Sequence, residues 1–381
     1  MPELTLEEIK QKIVSGQIQA LTVDTNIFDK YGSNLEHPVL LGLSQLKKNN
    51  VELLLSEVVV LEINSHLIDK AEESQRNLRK FLKVHLRRWH LTKTPPLDEL
   101  LSLSVAPADH AKDELAKFLE YVNGTSVDIE DNVGIAPELV KRYFAAMPPF
   151  ESKESKKFEF PDALALLSLE AHVKGNEGIL ICVSNDGGWK SFAAQSNHLV
   201  IVDDLAVALS LFNQAGEDFV SEIVRLWRDE ALANFAAEVT TQIEYWCADL
   251  QFEASGDGPA SSYVDYQDVQ FRTIDEIGDP IIVNFGGRQI TFTVRLSVTL
   301  DFFADFNFYV TDHVDGDEVI IGSSSTSKES QVQIEATITA EYEDGVDDLE
   351  NIKVVVGSKR FDVDFGYVDP FTDEDSMFEK Y

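Results

Sequence analysis

The sequence predicts an α/β fold in which a parallel sheet flanked by helices is followed by a long helix and an antiparallel β-rich domain. Three observations support this prediction. The first half alternates short apolar runs with helical patterns, which is typical of strands joined by crossover helices. The middle of the chain carries one long amphipathic pattern, and the second half alternates apolar and polar residues with a period of two.

Four short apolar runs are the expected strands of the parallel sheet. They are residues 20–23, 51–55, 178–183 and 199–202. Helices are expected between them, because Pro38 suits a first helical position, Ser56 can cap a helix running towards Trp89, and Pro161 can open another. Each strand would therefore be followed by a helix that returns the chain to the same sheet.

The second half of the chain has a different pattern. Apolar residues between Glu217 and Phe252 recur every three to five positions, which predicts one long helix. Further on, apolar residues occupy even positions from 290 to 310 and again from 332 to 342, which predicts strands with one solvated face. We therefore expect a first domain at 1–215 with a helical insertion at about 70–150, a connecting helix at 216–255, an acidic antiparallel β domain at 256–368, and a tail at 369–381.

Composition limits the class of protein. The formal net charge is -35, with 22 Lys and Arg against 31 Asp and Glu in residues 1–215, and 10 against 36 in the rest, so the acid is concentrated in the second half. Cys182 and Cys247 are the only cysteines, which leaves no disulfide framework and indicates a reducing compartment. No signal-peptide pattern or apolar run of ~18 residues is present, so we expect a cytoplasmic protein without a membrane partner.

Four acidic residues are the candidate site. Asp24 and Asp186 each follow a predicted strand, and ligands of open α/β sheets collect beyond the carboxyl ends of strands. Asp162 lies in the first turn of a helix, and Glu62 lies about two turns into another. Four carboxylates repel one another unless a divalent cation compensates them, and oxygen ligands favour Mg²⁺ or Mn²⁺. Such a site suits phosphodiester hydrolysis, in which the metal activates water and stabilises charge on the phosphoryl oxygens.

Each acid also has a structural interpretation. Asp24 could close an Asx turn, Asp162 could be a first-turn acid favoured by the helix dipole, and residues 185–187 could form an ordinary tight turn. Glu62 could face solvent, and Glu57 competes with it locally. The joint occurrence of the four acids, in this order and on these elements, favours the functional interpretation.

The order of these motifs resembles the PIN domain family of metal-dependent nucleases. It comprises Asp24-Thr-Asn after a strand, Glu62 at the end of Ser-Glu-Val-Val-Val-Leu-Glu, Asp162 in Phe-Pro-Asp-Ala, and Asp186 in Ser-Asn-Asp, over residues 18–214. The stretch from Met147 to Asp162 is similar to a bacterial PIN-like branch with a helical insertion before the third acid. One departure is Gly-Gly-Trp after Asp186, where many members carry a further acid and a Phe.

The resemblance implies catalytic and metal-binding roles for Asp24, Glu62, Asp162 and Asp186. Thr25, Asn26, Ser184 and Asn185 match the polar neighbours of those acids, which would orient the carboxylates or metal-coordinated water. It also implies an endonuclease that cleaves RNA, or single-stranded or structured DNA, and the family's habit suggests a toxin or defence effector.

A basic segment within this acidic protein also points to nucleic acid. Residues 76–93 contain seven Lys or Arg and no acid, together with Phe81 and Trp89, which suits a backbone-binding surface with stacking side chains. The alternative is a solvated helix whose Leu78, Phe81, Leu82 and Leu86 pack inward. The candidate nucleic-acid contacts are Arg76, Arg79, Lys80, Lys83, Arg87, Arg88, Lys156 and Lys157.

The acidic β domain should repel nucleic acid, so we expect it to bind a protein partner, to self-associate, or to mask the basic segment; simple solubility is the plain alternative. The competing function is therefore a non-catalytic PIN scaffold that acts as a protein-binding or regulatory module through this domain. Other catalytic patterns are missing from the sequence, including HExxH, the P-loop and GxGxxG.

Overall fold

The computed structural model describes residues 4–90, 105–130, 134–150, 159–175, 178–311, 317–343, 345–357 and 360–370. The chain divides into two compact units. The first comprises Met1–Gln214 together with Ile282–Asn284, and the second comprises Ala215–Ile281 and Phe285–Tyr381. Within the described residues, no helix is both long and apolar enough to cross a membrane.

The first unit is a parallel sheet flanked by helices. Its strands are β1 (Ile18–Val23), β2 (Glu52–Ser56), β3 (Gly124–Val127), β4 (Ile179–Val183) and β5 (Leu199–Val202). Its helices are α1 (Leu6–Val14), α2 (Thr25–Lys30), α3 (Pro38–Leu41), α4 (Glu57–Arg88), α5 (Pro107–Val122), α6 (Ile135–Ala145), α7 (Phe160–Gly175), α8 (Gly187–Ala193) and α9 (Leu205–Ser210), with a 3₁₀ helix at Gly42–Asn49.

The strand order in this sheet is β3-β2-β1-β4-β5, and every pairing is parallel. The chain winds outward from β1 through β2 to β3 and then crosses back to β4, so the direction of winding reverses between β1 and β4. The backbone N–H of Asp24 donates to Val183 O at 3.0 Å, which joins the carboxyl ends of these two strands. Such a switch point is where open α/β sheets bind ligands.

The edge strand β3 has no apolar run to reveal it. Its sequence is Gly-Thr-Ser-Val, and only Val127 is fully buried. It lies inside residues 70–150, which we expected to form a helical insertion, and it pairs with β2 over residues 53–56. That stretch therefore contributes a strand to the sheet as well as the helices α5 and α6.

The second unit contains an antiparallel sheet with long strands, as predicted. The elements after residue 213 are α10 (Gln214–Arg228), α11 (Ala233–Ala248), β6 (Phe252–Asp257), β7 (Ser261–Ile277), β8 (Ile281–Gly286), β9 (Gln289–Thr311), β10 (Glu318–Tyr342), β11 (Leu349–Val356) and β12 (Phe361–Tyr367). Of their residues, only 214 and 282–284 are assigned to the first unit. Strands β11, β10, β9 and β7 are neighbours in that order and pair antiparallel, while β12 and β6 form a separate two-stranded parallel pair. The predicted fold class is thus confirmed for both halves of the chain.

The even residues of β9 are buried from Ile290 to Phe308, in agreement with the period of two. The low-complexity, serine-rich stretch at 323–330 is part of β10, where it pairs with residues 300–307 of β9. Small hydroxyl side chains thus occupy the middle of a long, regularly paired strand. Asp315-Gly316 and Gly357-Ser358 are dipeptides typical of hairpin turns. Asp315, Gly316, Ser358 and the tail beyond residue 370 lie outside the described residues.

The single long helix expected after residue 216 is instead two helices, α10 and α11. The break falls at Glu230, whose φ of 58° is left-handed, and the N–H of Ala231 bonds back to Leu226 O at 2.9 Å. A left-handed residue followed by such a bond ends a helix. Trp227 and Phe235 then pack edge to face across the break, with ring centroids 5.3 Å apart, so both helices keep one apolar face and the sequence periodicity continues through the turn.

Candidate functional site

Asp24 lies at the carboxyl end of β1, directly before α2. It occupies the N-cap position of α2 but makes no capping hydrogen bond. Its Oδ2 instead accepts hydrogen bonds from Ser184 Oγ at 2.5 Å and from Asn26 Nδ2 at 2.6 Å. The structural interpretation of Asp24 as a turn-closing residue therefore does not describe this carboxylate, which faces the residue that follows β4.

Asp24 is held in an environment that disfavours its charge. Only 6% of the residue is exposed, and burial is the largest cause that raises its pKa to about 7. The negative charges of Asp162 and Asp186 raise the pKa further, while the Ser184 hydrogen bond opposes them. Asp24 is thus close to two other acids, and its own hydrogen bonds only partly compensate it.

Asp162, in the first turn of α7, shares this environment. Burial again comes first among the causes that raise its pKa, here to about 6, followed in the same direction by the charges of Asp186, Glu62 and Glu159. Trp189 Nε1 donates to Asp162 Oδ1 at 3.0 Å and lowers the pKa. The indole is completely buried, so it fixes the position of this carboxylate.

Glu62 reaches the same cluster from the second turn of α4. Its Oε2 accepts a hydrogen bond from Thr25 Oγ1 at 2.7 Å, and its charge acts on Asp162. The competing residue Glu57 is directed elsewhere, because its Oε2 accepts from the backbone N–H of Ile129 at 3.0 Å. Of the two glutamates near the start of α4, Glu62 is therefore the one that lies with the aspartates.

Asp186 is the most exposed of the four acids. Its Oδ1 caps α8 by accepting from the N–H groups of Gly188 at 2.7 Å and Trp189 at 3.0 Å. Oδ1 of Asp186 thus has the local structural role that a turn residue would have, while the negative charge of the side chain also acts on Asp24 and Asp162. A side chain at position 188 would be crowded, since a Cβ there would lie 3.0 Å from Asp186 Oδ1 and 3.2 Å from Pro149, which explains the glycine.

The expected supporting residues divide into two groups. Thr25, Asn26 and Ser184 hydrogen-bond to the acids or to one another, and Asn26 Nδ2 also donates to Ser184 Oγ at 3.2 Å. Asn185 is exposed and makes no hydrogen bond to the acids within the described residues. Trp189 is a contact that sequence reasoning missed, although its position directly after the glycine pair was visible as a departure from the family pattern.

The donor set fits a hard divalent cation. Carboxylate and amide oxygens are the ligands that such ions prefer, and the carbonyl oxygen of Asn26 is buried with no hydrogen-bond partner. In the part of the chain that the structure describes, no three His, Cys, Asp or Glu side chains converge into a ready metal-binding group. The four acids are therefore electrostatically coupled without being arranged as a closed coordination shell.

The basic segment lies on the last turns of α4. Arg76, Lys80, Lys83 and Arg87 are spaced by four, three and four residues, so they share one helix face, and all are exposed. Phe81 is 73% exposed rather than packed inward, whereas Leu78, Leu82 and Leu86 are half-buried. Arg79 and Arg88 are exposed on the same turns, and Lys156 and Lys157 lie outside the described residues.

The fold and the acids define a class of protein, namely a parallel α/β domain with coupled carboxylates at its switch point. The family model described as PIN domain matches residues 21–189, which run from β1 into α8 and include all four acids. The N-terminal half of this chain is a PIN domain. PIN domains are generally nucleases, act on nucleic acids and typically use divalent metal ions. No curated protein and no solved structure matches this chain.

Proposed function

We propose that this protein is a metal-dependent endonuclease that hydrolyses phosphodiester bonds in RNA. The observation that carries the proposal is the coupling of four acids from four separate elements at the switch point, where the pKa of Asp24 rises to about 7 and that of Asp162 to about 6. Buried carboxylates with strongly raised pKa values are typical of functional sites. The PIN family match over the same residues supports the reaction class.

The acids Asp24, Glu62, Asp162 and Asp186 would hold one or two Mg²⁺ or Mn²⁺ ions, with Asn26 Oδ1 as a further oxygen donor. When bound, the ion lowers the cost of forming the water-derived nucleophile and of placing negative charge on the phosphoryl oxygens. Ser184 and Asn26 hold the Asp24 carboxylate by donating to it, Thr25 holds Glu62, and Trp189 holds Asp162. The proposal requires these carboxylates to close on the ion when it binds.

The basic segment of α4 would bind parts of the nucleic acid that lie far from the phosphate that is cleaved. Arg76 is 14 residues beyond Glu62 and Arg88 is 26 residues beyond it on the same helix, which at 1.5 Å per residue places them about 21 and about 39 Å away. These cations are too distant to contact the phosphate that is cleaved. They would instead increase affinity for strands long enough to reach them, through contacts to other phosphates.

Cleavage of defined RNA and DNA oligomers by wild type and Asp24→Asn tests the function. With Mg²⁺ or Mn²⁺, wild type should cleave RNA internally, and Asp24→Asn should lose about a thousandfold or more in rate, because the ligand set loses a charge at the site where metal binding supplies several kcal/mol. Asp301→Asn, in the second unit, is the matched control and should cleave as wild type does.

Two results would contradict the proposal. Wild type that cleaves neither RNA nor DNA with either metal, combined with unchanged metal affinity in Asp24→Asn, would favour the non-catalytic scaffold. Equal cleavage by wild type and Asp24→Asn would show that the activity comes from a contaminant or from other residues.

A further inference from the structure

A ladder of polar contacts extends from the acid cluster along α2 and α4. The first contact joins Thr25 to Glu62 at 2.7 Å, the second joins Asp29 Oδ1 to His66 Nδ1 at 2.9 Å, and the third joins the backbone oxygen of Gly32 to Lys70. Each contact is displaced from the previous one by four residues on α4, which is about one helical turn, or about 6 Å. His66 therefore lies one turn beyond Glu62 on the same face of α4.

Asp29 fixes the orientation and the tautomer of His66. A carboxylate can only accept a hydrogen bond, so the ring nitrogen that faces it, Nδ1, carries the proton. Asp29 Oδ1 also accepts from Ser33 Oγ at 3.0 Å, which holds the carboxylate in place. In the neutral imidazole the other nitrogen, Nε2, is then an acceptor with its lone pair directed away from Asp29.

An acceptor at this position selects among the groups of a nucleic acid. Phosphate oxygens and most sugar oxygens only accept hydrogen bonds, so they cannot pair with a neutral Nε2. Base amino groups can donate to it in RNA and DNA alike, whereas the ribose 2′-hydroxyl is a donor that DNA lacks. The 2′-hydroxyl is also the group by which a protein distinguishes RNA from DNA. The side chain of His66 is 40% exposed, so a bound strand can reach it.

We propose that His66 Nε2 accepts a hydrogen bond from a ribose 2′-hydroxyl of a strand bound at the acid cluster, and that this contact makes the site prefer RNA. The proposal rests on the nuclease function proposed above and names the residue that selects its substrate. His66 is a specificity residue in this scheme, and Asp29 is a positioning residue that acts through it.

Single-atom changes in the substrate test the contact. An RNA oligomer with one mapped cleavage site is compared with versions carrying a single 2′-deoxy nucleotide at each position next to that site. For wild type, one of these substitutions should lower kcat/KM by about five- to tenfold, which is the effect of one lost hydrogen bond. His66→Ala should lose a similar factor on the all-ribose RNA and should show no further loss on the 2′-deoxy version.

The second readout is equilibrium binding without metal. Asp24→Asn and the double variant Asp24→Asn/His66→Ala are titrated with the same labelled oligomers in EDTA, and fluorescence anisotropy is measured. The 2′-deoxy substitution should weaken binding of Asp24→Asn only. His66→Gln, whose side-chain oxygen can accept, should keep part of the RNA preference, and His172→Ala, an exposed histidine on α7, is the matched control and should behave as wild type.

Three outcomes would overturn the proposal. Equal sensitivity of wild type and His66→Ala to every 2′-deoxy position would remove His66 from sugar recognition. If His66→Ala instead lost sensitivity to a neutral methylphosphonate linkage, the contact would be to phosphate. If wild type cleaved RNA no faster than Asp24→Asn, the nuclease function itself would fail, and the first two outcomes are distinguishable from this one because both require active wild type.

Discussion

The two units of this protein use carboxylates in opposite ways. In the first unit, Asp24 and Asp162 are buried beside other acids, and their pKa values are raised to about 7 and about 6. In the second unit, which carries most of the excess negative charge, Arg272 lies between Asp301 and Glu329 on the solvated face of the sheet and pairs with both. Acid content alone therefore points to the second unit, whereas burial beside other acids, with no cationic partner among the described residues, points to the proposed site in the first unit.

The largest difference between the acids of the two units should appear in Mn²⁺ affinity after the Ser184 hydroxyl is removed. Ser184→Ala removes the hydrogen bond that Asp24 Oδ2 accepts at 2.5 Å and that lowers the pKa of Asp24. We expect Mn²⁺ affinity at pH 7.5 to fall by about 10- to 100-fold, the usual cost of losing a side chain that orients a metal ligand. Isothermal titration calorimetry measures the change.

The matched control for that experiment is Thr299→Ala in the second unit. Thr299 Oγ1 donates to Asp275 Oδ2 at 2.7 Å, so the variant removes a hydroxyl-to-carboxylate bond of similar length outside the proposed site. Mn²⁺ affinity should be unchanged in this variant. Equal losses in both variants would mean that the metal binds throughout the acidic surface.

Without metal, neutralising a buried acid of the first unit and neutralising an ion-paired acid of the second unit should change the free energy of unfolding in opposite directions. Because the folded-state pKa of Asp24 is raised, its contribution favours folding below about pH 4 and is lost as pH rises from about 4 to 7. Asp24→Asn should therefore stabilise the protein in EDTA at pH 8, by roughly 1–3 kcal/mol. This is less than the shift in pKa from 3.8 to about 7 represents, because a neutral amide oxygen accepts the hydrogen bonds of Ser184 and Asn26 more weakly than a carboxylate does. The gain should vanish near pH 4.

Denaturant unfolding with EDTA at both pH values measures this effect. Asp301→Asn should change stability in the other direction, by less, because that carboxylate loses a favourable ion pair with Arg272. A loss of stability in Asp24→Asn at pH 8 would show that the acid cluster is not strained in the metal-free protein.

The smallest effect concerns the basic segment, which distinguishes the charge of the first unit from that of the second. Charge reversal of Arg87 and Arg88 should weaken RNA binding severalfold at moderate salt and should lower the salt dependence by about one to two phosphate contacts. Filter binding across a salt series measures both quantities. Reversal of Lys112 and Lys117, exposed on α5, is the matched control; equal effects in both pairs would mean that only net charge matters.

The sequence predicted those features that are set by local pattern. The placement of Asp24 and Asp186 at one edge of the sheet could be predicted because Asp24 directly follows one buried apolar strand and Asp186 lies three residues beyond another, and parallel strands bring their carboxyl ends to one edge. The period of two in β9 predicted its buried face, because successive side chains of a strand point to opposite faces of the sheet. These features depend only on residues close together in the chain.

Other features depend on contacts that local pattern does not encode. The strand β3 is an edge strand with little burial, so its four residues carry no apolar signal. The break at Glu230 keeps the helical periodicity of its flanks, so the two helices have the pattern of one. Trp189 binds Asp162 across 27 positions of sequence, and no spacing rule predicts such a contact.

The indole of Trp189 gives the protein an internal optical probe. Its ring is completely buried and its N–H bonds to the carboxylate of Asp162, so any change in the charge or position of that carboxylate alters the electric field across the fluorophore. Emission should therefore shift when a cation enters the cluster. Four tryptophans contribute to the spectrum, and the difference between wild type and Trp189→Phe isolates the signal from the site without any added dye.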